Sequence, residues 1–394
     1  MNGSGMPRSL TVLLAITCGV TSSNIYLTQP LLPQIGADLG ATAETTGLVL
    51  SATQIGYALG ILLLVPLGDI RDRRPLILTM MGLTGAALVA SALSPTVTAL
   101  TVAGFLIGMF TPIPQVVIPL AVLLSGDEGR GRTVGILQAG LLIGIVCSRA
   151  YAGAMAEWVG WRSAYWCSLA AMVVVMLLLL RALPSTAQST EALTYPRLMR
   201  SMAVLIRKPA IAGVCVSGGL VGIAFGAFWN TVTFEMHAEF GFGSAALGAF
   251  GLIAAVSALA SPVAGRIADQ HGVRLTQAVL IGMLVVGWLI VAGPPAWPIV
   301  VLGAILIDVG LWGNQVVNQA ALFGAAARDH SRLNTLYFFT RFAGISAGSA
   351  LGAALWTQAG WHAVVALGIV VSMVALGVFA ASTRPSASLQ EVRG

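Results

Sequence analysis

The stretch VPLGDIRDRRPLIL, Val65 to Leu78, returns in altered form as GRIADQHGVR, Gly265 to Arg274. Asp69 and Asp269 stand 200 residues apart, as do Arg74 and Arg274. The same offset joins Gln115 to Gln315, Arg132 to Arg332, Gly144 to Gly344, and the pair Gly160 and Trp161 to Gly360 and Trp361. Self-similarity at one fixed offset marks a duplicated unit. Each copy of the charged stretch also lies between two long apolar runs, so the flanking sequence decides what is duplicated.

Working outward, apolar runs lie near Leu10 to Gln34, Thr45 to Leu67, Pro75 to Leu93, Ala99 to Leu124, Thr133 to Ala156 and Trp161 to Leu183. The pattern resumes near Ala210 to Phe234, Ser244 to Ala268, Leu275 to Val291, Trp297 to Ala321, Leu333 to Trp356 and His362 to Ala381. Each is close to the roughly 20 residues that cross a bilayer. Charged residues are only 9% and hydrophobic ones 57% of the chain, against roughly 25% charged in an average soluble protein. We therefore expect an all-α membrane protein of twelve transmembrane helices in two pseudo-symmetric six-helix bundles. Residues 1–183 form the first half, 184–208 a linker and 209–394 the second half. Within the linker, Tyr195 to Ile206 sets arginines among Leu, Met and Val and predicts an amphipathic helix on the membrane surface.

The basic residues orient the spans. Among the 20 arginines and lysines, Arg149 and Arg341 fall inside spans and Arg162 on one side; all the others fall on the opposite side. Positive charge is retained in cytoplasmic loops, so both termini are expected in the cytoplasm. The apolar run that opens the chain continues to Leu32 and reads as a retained span, because cleaving it would invert this sorting. Topology accounts for the net charge of +6, leaving no case for nucleic-acid binding. Cys18, Cys147, Cys167 and Cys215 lie in apolar spans without metal-ligand spacing, and no disulfide is expected.

Asp69 beside a helix N-terminus would be stabilised by unpaired N–H groups and the helix dipole. Arginines nearby can pair with carboxylates across a gap. Asp69, Arg73 and Arg74, with Gly265, Asp269 and Arg274, thus read as a latch whose contacts form in one conformation and break in another. The alternative is that these charges only stop helices and set topology.

This loop pattern resembles the signature of the major facilitator superfamily, which the second copy follows at Gly265, Asp269, Gly272 and Arg274. The first copy has Val65 and Asp72 where glycines are usual. The strings NIYLTQPLLPQI from Asn24, QIGYALGILLLVPLGD from Gln54, DVGLWGNQVVNQA from Asp308 and SRLNTLY from Ser331 are similar to a bacterial branch labelled arabinose-efflux-permease-like, within the drug:proton antiporters. The resemblance covers nearly the whole chain. It implies a secondary active transporter in the bacterial inner membrane, monomeric, exporting a small amphipathic or polar molecule in exchange for protons by alternating access. In such parallel repeats the substrate sits near the midplane between halves. The family's exporters often carry a glycine pattern in the fifth span. Here GILQAGLLIGIVCSRAYAG matches at Gly135, Gly144 and Gly153, with Ser148, Arg149 and Ala152 replacing Gly, Pro and Gly. The fourth span has Gly104 near the place of an arginine common in proton-coupled members.

Ionisable residues inside a bilayer cost at least about 2.5 kcal/mol, which makes Arg149, Asp308 and Arg341 the leading functional candidates. At 1.5 Å per residue, Asp308 lies about 17 Å from Trp297 and Arg341 about 14 Å from Arg332, so the two share a depth. They are expected to form a buried pair, either a proton-sensitive switch or a static neutralisation. Arg149 would recruit an anionic substrate group, share Asp308, or snorkel outward. Around them we place a cavity of Asn24, Tyr26, Gln29, Gln54, Tyr57, Gln115, Gln138, Trp229, Asn230, Asn314, Gln315, Asn318, Asn334 and Tyr337. For any one of these amides, helix-to-helix hydrogen bonding is the competing role.

The sequence has no phosphate-binding GxxxxGK[ST] loop, and Lys208 is the sole lysine, so no nucleotide or other cofactor is expected. No nucleophile triad or zinc-protease signature appears, and no enzyme activity is expected. An uptake uniporter or proton symporter is the alternative reading. A membrane sensor or an intramembrane enzyme is the alternative of a different class.

Overall fold

The computed structural model describes residues 6–184, 194–253, 260–325 and 330–382. The side chains at 126–130, 260–262, 269, 323–325, 330 and 382 lie outside that description. Its regular structure is helical throughout the described residues. In the first half, α1 (Arg8–Tyr26) passes through a 3-10 turn at Gln29–Leu31 into α2 (Leu32–Leu39), followed by α3 (Ala43–Leu63), α4 (Leu67–Ile70), α5 (Arg73–Ala92), α6 (Val97–Phe110), α7 (Pro114–Val159) and α8 (Trp161–Ala182). The linker forms α9 (Tyr195–Leu205). The second half contains α10 (Pro209–Phe240), α11 (Ser244–Phe250), α12 (Ala260–His271), α13 (Val273–Val291), α14 (Trp297–Ala325), α15 (His330–Ala359) and α16 (Trp361–Ser382).

Ten of the expected spans are long and apolar enough to cross a membrane among the described residues. An eleventh, α15, has 30 residues, about 45 Å of helix, but Asn334, Arg341 and several hydroxyl side chains dilute its hydropathy. The expected span Ser244 to Ala268 includes residues 254–259, which lie outside the described residues. The fourth span is broken at Thr111–Ile113, where Pro112 and Pro114 remove backbone donors, and it resumes in α7. Within α7, Ser125 Oγ donates to Thr133 Oγ1 at 3.1 Å. Eight residues of straight helix would span about 12 Å, so the chain doubles back there and α7 supplies parts of two spans.

The duplication is visible in the packing. A Cβ added at Gly144 would fall on the Gly19 carbonyl, and one at Gly344 on the Gly219 carbonyl. The second pair is the first displaced by 200. Small residues at these crossings let α1 meet α7, and α10 meet α15, backbone to backbone. Gly160 and Gly360, with φ of 104° and 75°, start α8 and α16. The departure from the loop signature also has a local cause: Gly272 precedes α13 with φ 86°, whereas Asp72 precedes α5 and accepts a hydrogen bond from the Arg74 amide at 3.0 Å. A side-chain cap does in one copy what glycine's freedom does in the other.

Exposed apolar side chains, among them Val102, Val174, Leu289, Val370 and Met373, form an outer surface suited to lipid. Helix α9 forms as expected, and its apolar face is covered by protein. Leu198, Met202 and Leu205 are buried with Ile211, Leu322 and Leu333 of the second half, because protein offers that face closer packing than a bilayer surface. The Tyr195 hydroxyl donates to the Leu63 carbonyl of the first half at 3.0 Å.

Candidate functional site

The end of the bundle that carries Arg71, Arg73, Arg74 and Arg332 is called here the basic end, and the opposite one, with Asp38, Glu157 and Glu235, the far end. A cavity of about 470 Å³ lies between the halves, running from Asp69, Arg73 and Ser331 at the basic end to Tyr26 and Arg341. Its size is that of a small-molecule site. Towards the far end the halves are joined. Ser346 Oγ donates to the Ser51 carbonyl at 2.7 Å, Ser349 Oγ to Gln54 Oε1 at 2.8 Å, and the Ala245 amide to Glu157 Oε2 at 3.3 Å. Gly153 and Gly248 bring α7 against α11 with no room for a side chain. The cavity thus reaches the basic end, where Ser331 and Asp69 of opposite halves touch, and stops at the far-end seam.

Asp308, Arg149 and Arg341 come together deep in the bundle, at 0%, 2% and 3% exposure. Each arginine acts electrostatically on the aspartate. The expected direct pair between Asp308 and Arg341 is nevertheless not made, because each has another partner. Trp229 Nε1 donates to Asp308 Oδ1 at 2.6 Å, and Arg341 Nη1 donates to Gln315 Oε1. Asp308 Oδ2 is buried without a hydrogen-bond partner, as are Arg149 Nη1 and Arg341 Nε.

Arg149 does not snorkel outward. Its Nε donates to Gln29 Oε1 at 2.7 Å, and its guanidinium lies 4.8 Å from the Tyr26 ring centre and 4.5 Å from that of Trp229. Gln29 Nε2 donates to the Trp229 carbonyl at 2.6 Å. A continuous polar chain therefore runs from Arg149 and Gln29 in the first half to Trp229 and Asp308 in the second, above the closed end of the cavity. The glycine Gly251 packs on the Arg149 stem, so the arginine that replaces the antiporter pattern's proline is accommodated by a glycine across the interface.

Of the polar residues expected around a cavity, Tyr26, Tyr57, Gln115, Gln138, Gln315 and Asn334 line it. The others are committed to helix contacts. Asn24 Oδ1 accepts from Ser168 Oγ at 2.5 Å, and Asn230 Nδ2 donates to the Ser349 carbonyl at 2.7 Å. Gln54 is in the far-end seam. Asn318 accepts from Gln277 at 3.0 Å and donates to Asn314 at 2.8 Å and to the Tyr337 hydroxyl at 3.4 Å, so this group stays within the second half. Gln319 and Trp312, outside the expected set, do line the cavity. Each residue of a helix turns about 100°. Gln315 and Gln319 therefore face the opening while Asn314 and Asn318, one position back, face α13 and α15.

At the mouth, Asp69 lies 3.6 Å from Arg73 and accepts from Ser331 Oγ of the other half at 3.4 Å. Arg73 Nε donates to the Gly68 carbonyl at 2.9 Å, and Arg74 Nη2 to that of Leu180 at 2.8 Å. Gly265 faces Val316, Arg274 is exposed, and the Asp269 side chain is outside the described residues.

The sequence profile of the Major Facilitator Superfamily matches residues 14–255. The chain is 31% identical over 374 residues to the "Uncharacterized transporter YgaY" of Escherichia coli O157:H7, covering 94% of this chain and 95% of that one. It is 27% identical to a "Chloramphenicol resistance protein" of Streptomyces lividans over 77% of each chain. Among solved structures, the nucleoside transporter NupG superposes with a TM-score of 0.77 at 13% identity, covering 95% of this chain and 99% of that one. The protein belongs to the major facilitator superfamily, and is a multi-pass membrane transporter.

Proposed function

We propose that this protein is a proton-coupled secondary transporter that exports a small amphipathic or polar molecule across the bacterial inner membrane. Both termini and the basic end face the cytoplasm, following the positive-inside distribution. The observation that carries this reading is a cavity between two pseudo-symmetric halves that reaches the basic end while the far end is joined, with a buried carboxylate beside it. In that setting a rocking motion breaks the far-end seam and brings the halves closer at the basic end, where the Asp69 loop, already touching Ser331, is the latch. Export is supported by the similarity to the chloramphenicol resistance protein and by Gly135, Gly144 and Gly153. Arg149, in place of the proline of that pattern, supports a second reading: a uniporter, or a proton symporter that takes up a metabolite.

The test is a proteoliposome assay with an internal pH dye, screened against amphipathic, sugar and amino-acid-like solutes. A solute that collapses an imposed pH gradient supports proton coupling. Solute movement without proton movement overturns it. For the latch, Asp69→Asn is expected to slow transport several-fold while changing stability by less than about 1 kcal/mol, since exposed ion pairs contribute little. Transport rate and thermal midpoint, measured together, check this. A wild-type rate removes the latch role.

A further inference from the structure

We propose that the solute bound in this cavity is an organic anion, a carboxylate or sulfonate on an apolar body, and that Arg341 is the residue that binds its charged group. This rests on the reading of the cavity as the transport site. The cavity lining holds three charged side chains among the described residues: Asp69, Arg73 and Arg341. The first two neutralise each other at the mouth, so Arg341 sets the charge of the interior. Its remaining polar lining is neutral amide, phenol and hydroxyl, which solvates an anion or a cation but compensates neither.

The guanidinium is incompletely satisfied. One nitrogen donates to Gln315, the Tyr337 hydroxyl lies beside the group, and the plane lies over Trp312, 5.3 Å from the ring centre. Nε is buried without a partner. Among the described residues no carboxylate oxygen lies within 4.0 Å of Arg341. Asp308, the nearest buried acid to act on it, is held by Trp229 outside the lining. The two arginines against this single aspartate leave one positive charge in excess deep in the bundle. A buried charge without its counterpart is costly, and a bound anion removes that cost, whereas a cation would add to it. Planar donors that match a carboxylate, beside Trp312, Phe338 and Phe342 for the apolar body, define the site.

The experiment uses detergent-purified full-length protein and no pH gradient, so it stands apart from any loss of proton coupling. Thermal stabilisation is titrated with phenylbutyrate, naphthoate and indole-acetate, each against its own primary amide and its amine analogue. At least one carboxylate is expected to stabilise the protein at lower concentration than its amide, with the amine weakest. Arg341→Gln is expected to weaken that carboxylate roughly ten- to a hundredfold, the loss of a hydrogen bond to a charged group, and leave the amide unchanged. Arg341→Lys is expected to keep part of the preference. If Arg341→Gln does not fold, the wild-type ranking and the lysine variant decide. The proposal is overturned if amides or amines equal the carboxylates, if no carboxylate stabilises, or if the carboxylate binds the glutamine variant as it binds wild type.

Discussion

Asp308→Asn is expected to abolish the pH-driven component of transport while leaving solute-for-solute exchange in place. Asparagine keeps the oxygen that accepts the Trp229 Nε1 hydrogen bond of 2.6 Å but takes up no proton at the other position. The same variant separates a coupling role from a static one by stability. Were Asp308 a fixed counter-charge for Arg149 and Arg341, removing it would leave buried cations uncompensated, at a cost of about 3–5 kcal/mol. Lost coupling in a folded variant that still exchanges solute supports the proton site. A large drop in midpoint with coupling retained in the folded fraction makes it structural. Because Asp308 and Arg341 have separate partners, exchanging their charges is not expected to restore activity. The direction of solute flow in the same assay selects between exchange and co-transport. An anion at Arg341 and a proton on Asp308 favour one another electrostatically, and such linkage is reciprocal, so tighter anion binding at low pH would select the symport reading.

Gly248→Ala is expected to shift the protein towards a far-end-open state. A Cβ at Gly248 would land on the Arg149 carbonyl of the opposite half, a contact that the proposed rocking motion breaks when the far end opens. Overpacking of this kind costs about 1–3 kcal/mol, which is roughly a five- to hundredfold change in a two-state ratio. The readout is labelling of Ser349→Cys, a fully buried position in the far-end seam, by an impermeant maleimide after Cys147 and Cys167 are replaced. Faster labelling at an unchanged thermal midpoint is the expected result. The control is Gly344→Ala, whose Cβ would meet the Gly219 carbonyl within one half. The proposed motion moves each half as a unit and keeps that contact, so this variant is expected to lose stability and shift no equilibrium. Equal labelling in Gly248→Ala and its parent would show that the crossing of α7 and α11 does not hold the far end shut.

The all-helical, membrane-spanning fold was legible in the sequence, since span length and a 200-residue offset follow from bilayer thickness and duplication of one unit, properties that each segment carries by itself. The sequence also singled out Arg149, Asp308 and Arg341, because ionisable groups in apolar runs are visible without a fold. What it left open was the partner of each. Asp308 and Arg341 share a depth along their helices, but depth fixes one coordinate only, and rotation about the helix axis turned Asp308 to Trp229 and Arg341 to Gln315. The same rotation sends Gln315 and Gln319 to the cavity and Asn314 and Asn318 into the wall. Which end is sealed by a seam was equally out of reach, because Ser51, Gln54, Ser346 and Ser349 become one only when two segments nearly 300 residues apart are brought together by packing. Composition sets what a span can tolerate; the tertiary contacts decide which of its faces meets solute, lipid or another helix.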